Sequence, residues 1–73
     1  MKMIVMRSTP DGYSLDEREG YPPEEMEWRI VEAAEELFPN DYQWFAYDES
    51  QYPVLDIVEP TGKVSAKIFF EKE

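Results

Sequence analysis

Three β-prone runs fill the second half of the chain, and the connections between them leave only one way to join them. "YQWFAY" (42–47), "YPVLDIV" (52–58) and "KVSAKIFF" (63–70) are separated by Asp48-Glu49-Ser50-Gln51 and by Glu59-Pro60-Thr61-Gly62. A parallel crossover needs a dozen or more residues, so these short, turn-rich links specify antiparallel hairpins. In the last run Val64, Ala66, Ile68 and Phe70 alternate with Lys63, Ser65, Lys67 and Phe69. Period-2 alternation assigns the first set to a buried face and leaves Phe69 outside.

The N-terminal half supplies a strand, a turn and a helix. "KMIVMR" (2–7) is apolar and β-prone, and Thr9-Pro10-Asp11-Gly12 is a turn with proline second and glycine fourth. The returning arm "YSLDE" alternates Tyr13 and Leu15 with polar residues before it gives way to "REGYPP". It reads as a second strand or as a loop. From Pro23 the pattern turns helical: proline suits the first helical position, and Glu24 and Glu25 favour the positive end of the helix dipole. Phe38-Pro39-Asn40 stops it. A helix over 23–38 would be about 24 Å long and would cover one face of a small sheet. The expected fold is a single α+β domain over residues 1–73. It has two layers in the order β(β)αβββ, one amphipathic helix on an antiparallel sheet of four to five strands.

On that helix Met26, Ile30, Ala33, Ala34 and Leu37 share one face, flanked by Val31 and Phe38. Glu25, Glu32, Glu35 and Glu36 lie opposite, and Trp28 falls among them, roughly 150° from the centre of the apolar stripe. Two readings are open for Trp28. Either the 8–22 segment folds back and covers it, or it is an interface anchor, because tryptophan is enriched in binding hot spots. The glutamates taken alone are an ordinary solvated face, with Glu25 and Arg29 at i,i+4 spacing.

Charge adds to this. The chain has 7 basic and 17 acidic residues, for a net charge of −10. Such a surface repels nucleic acid and anionic membranes and attracts cationic proteins. Six glutamates against Arg29 give the helix a net −5, or one charge per about 5 Å, where a single nucleic-acid strand has one per about 3.4 Å. With Asp11, Asp16, Glu17 and Glu19 against Arg18 alongside, the sum becomes −8, or one per about 3 Å. Residues 1–10 carry +2 and residues 63–73 carry +1, so the acid is concentrated in residues 11–36. Yet the chain is 42% hydrophobic with eleven aromatics, more than a disordered acidic chain carries.

Much chemistry is excluded. No histidine or cysteine is present, so His- or Cys-based catalysis, zinc sites and disulfides are ruled out. "DGYSLDEREG" lacks the alternating oxygen ligands of a calcium loop, Asp48 and Glu49 read as turn residues, and the three glycines form no phosphate cradle. No catalytic residue, metal or cofactor is expected. The cysteine-free composition, with no cleavable leader and no run near 20 apolar residues, gives a cytoplasmic expectation.

These readings converge on a non-enzymatic binding protein whose partner is a basic protein surface, such as the groove of a nucleic-acid-binding enzyme. Neither nucleic acid itself nor a membrane is an expected partner. The expected contact residues are Asp16, Glu17, Glu24, Glu25, Trp28, Glu32, Glu35 and Glu36. In size and charge the chain resembles small acidic phage proteins that inhibit nucleases or defence complexes, nucleic-acid mimics among them; no motif places it in a family. The alternative rests on "YQWFAY", where both alternating sets are apolar. One of them must face away from the helix, so Trp44, Phe45, Tyr47 and Phe69 form a candidate aromatic interface for self-association, as in a homodimer, or for an accessory role.

Overall fold

The computed structural model describes residues 1–72 as a five-stranded antiparallel sheet with one helix packed on it. Strands β1 (Lys2–Thr9) and β2 (Gly12–Arg18) form the first hairpin, closed by Pro10 and Asp11. Gly12 completes that turn at φ 135°, a conformation that L side chains rarely adopt. A 3₁₀ turn over Pro23–Glu25 leads into α1 (Met26–Leu37). The helix ends where Phe38 donates its N–H to the Ala34 carbonyl at 2.8 Å, and Pro39 lacks the donor to continue. Strands β3 (Tyr42–Tyr47), β4 (Pro53–Val58) and β5 (Val64–Glu71) follow as two hairpins.

The order across the sheet is β2-β1-β5-β4-β3. The first and last strands in sequence are therefore neighbours: Met3 faces Phe70 and Val5 faces Ile68. α1 carries the chain from one edge of the sheet, β2, to the other, β3. The core lies between α1 and the three central strands, with Ile30, Ala33 and Ala34 over Met3, Val5, Leu55, Ile57, Ala66, Ile68 and Phe70. This is the helix face read from the sequence, with Met26 and Leu37 partly buried at its ends.

Of the two readings open for the returning arm, the strand is the one formed, with β2 paired along its whole length from Gly12 opposite Thr9 to Arg18 opposite Met3. One expectation is corrected. Val64, expected to be buried, is 49% exposed. Pairing jumps from Ile57–Ala66 to Val58–Val64, so Ser65 is an extra residue and the alternation breaks at that bulge.

Candidate functional site

A single helix cannot cover this sheet. Five strands spaced at about 4.8 Å place the two edges about 19 Å apart, whereas a helix with its side chains is about 10–12 Å across. α1 sits over the central strands, leaving β2 and β3 uncovered even on the helix side. There β2 presents Ser14, Asp16 and Arg18, as pairing with Arg7, Val5 and Met3 requires. β3 presents Gln43, Phe45 and Tyr47, opposite the buried Ile57, Leu55 and Pro53.

The uncovered part of β3 and the flank of α1 together form one groove. It is open, about 510 Å³ in volume, and lined by Glu27, Trp28, Val31, Glu32, Glu35 and Phe45. On α1 the residues Trp28, Val31, Glu32 and Glu35 recur at helical spacing, so one stripe supplies an apolar floor and a carboxylate rim. Trp28 is 50% exposed, with the Arg29 guanidinium 4.1 Å above its ring. The 8–22 segment does not cover it: residues 12–18 are in the sheet, and Tyr21 packs edge-on against Phe70 at 5.8 Å. Phe45 is 44% exposed and meets Tyr47 ring to ring at 5.3 Å.

Hydrogen bonds fix this geometry. Arg29 donates to Glu25 at 3.1 Å and to Glu32 at 3.2 Å. Desolvation opposes its charge, but these two carboxylates hold its pKa above the usual value. The Tyr47 hydroxyl donates to Glu27 at 3.2 Å and ties β3 to the helix. Desolvation, and then the Glu27 carboxylate, raise the pKa of that phenol. Glu35 makes no ion pair among the described residues, so the groove keeps negative charge that nothing in the fold neutralises.

The expected acidic contacts are only partly brought together. Glu32 and Glu35 join Trp28 in the groove, whereas Glu24 and Glu25 lie at the helix start and Glu36 turns toward Arg18 at 3.8 Å. Asp16 and Glu17 are on opposite faces of β2. Asp16 lies 3.5 Å from Arg18 on the helix side, and Glu17 lies 3.1 Å from Lys2 on the other. The line of −8 along one surface is therefore not formed, because neighbouring residues of a strand point to opposite faces.

Nor do the four aromatic candidates share a surface. Phe45 and Tyr47 are on the helix side, while Trp44 and Phe69 are on the open side, opposite Asp56 and Ile4. Asp56 pairs in turn with Lys67, so two charged residues, followed by Met6, lie in the row between Trp44 at one edge and Leu15 at the other. A larger groove of about 630 Å³ runs over this open side, but Asp56 and Lys67 stand among its lining residues.

Glu27 and Val31 line the groove in addition to the expected contacts. Their spacing to Glu35 along the helix marks the same stripe. Asp48 has a structural role, accepting from the backbone N–H groups of Ser50 at 2.8 Å and Tyr52 at 2.9 Å to hold the β3–β4 turn. Among the described residues no acidic cluster is arranged to hold a metal ion, and no helix is long and apolar enough to cross a membrane. Comparison with known protein families, curated proteins and solved structures finds no match to the chain.

Proposed function

We propose that this protein is a non-enzymatic binding protein that presents its acidic, aromatic groove to a basic surface within the cleft of a larger protein, as an inhibitor would. One observation carries the reading: two half-exposed aromatic rings, Trp28 and Phe45, from separate elements line one groove with Glu27, Glu32 and Glu35. Desolvated aromatic anchors ringed by polar groups are where binding energy concentrates, and the carboxylates select a cationic counterpart. The clefts of nucleic-acid-binding enzymes have that sign of charge. At one charge per about 5 Å along the helix, the charge density favours a cationic protein surface over faithful imitation of a nucleic-acid strand. The self-associating alternative draws less support, since the charged Asp56–Lys67 pair divides the open sheet face.

The test is a pull-down from host lysate followed by titration of the partner against wild type and a triple variant, Trp28→Ala with Glu32→Lys and Glu35→Lys. Binding should fall by more than about 2 kcal/mol while the thermal midpoint barely moves. Wild-type affinity should also drop steeply between about 50 and 300 mM salt. Lys63→Glu with Lys67→Glu, away from the groove, should bind as wild type. A triple variant that binds normally, or fails only because it has unfolded, removes the proposal.

A further inference from the structure

We infer that the free edge of β3 is a docking site for an extended segment of a cationic partner, which adds a sixth strand to the sheet. The inference rests on the acidic-groove reading and specifies the shape of what the groove receives. β3 is the outermost strand and pairs only with β4, so on alternate residues its backbone N–H and C=O groups point away from the sheet. Exposed edges of this kind are usually blunted by charge, proline or a bulge. "YQWFAY" contains no charge and no proline, and it pairs with β4 in unbroken register from Tyr42–Val58 to Tyr47–Pro53.

The side chains around this edge specify the occupant. A strand laid beside β3 alternates its residues between the two faces of the sheet, within about 5 Å of their cross-strand neighbours. On the helix side those neighbours are Phe45 and Tyr47, and beyond them lie Glu27, Glu32 and Glu35. A lysine or arginine there lays its stem on the aromatic rings and its charge toward the carboxylates. On the open side the neighbours are Tyr42 and Trp44, which are 61% and 63% exposed and favour an apolar residue. The matching segment therefore alternates basic and apolar residues.

A second copy of this chain fits poorly. Two-fold antiparallel pairing keeps every residue on its own face of the sheet, and when β3 pairs with itself centred on Phe45, Asp41 is set against Glu49 at both ends, in copies that each carry −10. Those same acids at the two ends of β3 favour a positively charged segment.

The probe is an end-blocked eight-residue peptide alternating lysine and valine. It is compared with a version N-methylated on every second residue and with one whose four lysines form a single block. Binding is followed by calorimetry, and hydrogen exchange is followed along residues 42–47. The expected result is tenfold or greater weakening on N-methylation and new protection at every second amide of β3. If all three peptides bind alike and Glu32→Lys with Glu35→Lys abolishes binding, the edge inference is overturned and the acidic groove stands. If N-methylation weakens binding but the glutamate reversals do not, the edge stands and the groove reading falls. No binding by any peptide at millimolar concentration overturns the edge inference alone, because the groove is judged with the intact partner.

Discussion

β2 and β3 occupy equivalent places, each an outermost strand that α1 leaves largely uncovered and each the partner of one inner strand. Their sequences answer that position differently. β2 ends in Asp16, Glu17 and Arg18, with a charge on both of its faces, as an edge kept from pairing should have. β3 carries six uncharged residues, four of them aromatic, and three of those four rings are more than half exposed. The same chain thus blunts one edge with charge and leaves the other uncharged, and the uncharged edge is the one proposed to receive a partner.

The largest effect that bears on this contrast is in the core. Leu55 has no exposed surface and faces Phe45 across the β3–β4 pair. Leu55→Ala should cost about 2–5 kcal/mol, most of what a domain of this size possesses. Phe45→Ala should cost about 1 kcal/mol or less, because a half-exposed ring buries much less apolar area. Urea unfolding followed by circular dichroism measures both. Equal costs would make the β3 aromatics a part of the core and end the contrast between the edges.

A smaller effect follows from exchanging the two edge chemistries. Ala46→Lys adds a charge to β3, and Asp16→Thr with Glu17→Thr removes two from β2. Each should change stability by about 0.5 kcal/mol or less, since these positions are exposed. Association should separate the two. Sedimentation velocity at high micromolar concentration should show the β2 variant self-associating more than wild type, and the β3 variant no more than wild type. A β2 variant that stays monomeric would mean that its charges do not guard that edge.

Much of this architecture is legible in the residues. The helix face, the hairpin connections and the bounds of β3 follow from spacing and turn chemistry, because each signal lies within a few residues of the structure it specifies. The pairing of β1 with β5 has no such signal: its partners are more than fifty residues apart, and nothing local identifies either as the other's neighbour. Val64 departs from its expected face because a bulge at Ser65 interrupts an alternation that looks regular in sequence. Helical geometry puts Trp28 opposite the apolar stripe, but neither its exposure beside the 8–22 segment nor the groove it shares with Phe45 follows from that geometry. Both alternating sets of "YQWFAY" are apolar, so only the register against β4 decides which of them turns toward the helix. The same period of two separates Asp16 from Glu17, a division that adding up charge along a sequence overlooks.

The smallest effects concern how each edge is tied to α1, and here too the edges differ. β2 is tethered by Arg18 to Glu36 at 3.8 Å, an ion pair, and β3 by the Tyr47 hydroxyl to Glu27 at 3.2 Å, a hydrogen bond from a neutral donor. Exposed ion pairs are screened by salt, so raising the ionic strength should speed hydrogen exchange in β2 more than in β3. The Tyr47 phenol loses its proton at higher pH than an ordinary tyrosine, through desolvation first and the Glu27 carboxylate second. The folded state therefore holds this proton more tightly than the unfolded chain does. Its contribution is complete below the ordinary phenol range near pH 10 and is lost as pH rises through the elevated value. Exchange in β3 should accelerate over that interval, and Tyr47→Phe should flatten the dependence. Absorbance titration at 295 nm offers a direct check, because one of the five tyrosines should ionise late in wild type and that fraction should vanish in Tyr47→Phe. Glu27→Gln should leave part of the delay, since desolvation is its larger cause. A delay that disappears completely in Glu27→Gln would instead make charge the dominant cause, and β3, like β2, would then be held to the helix by electrostatics.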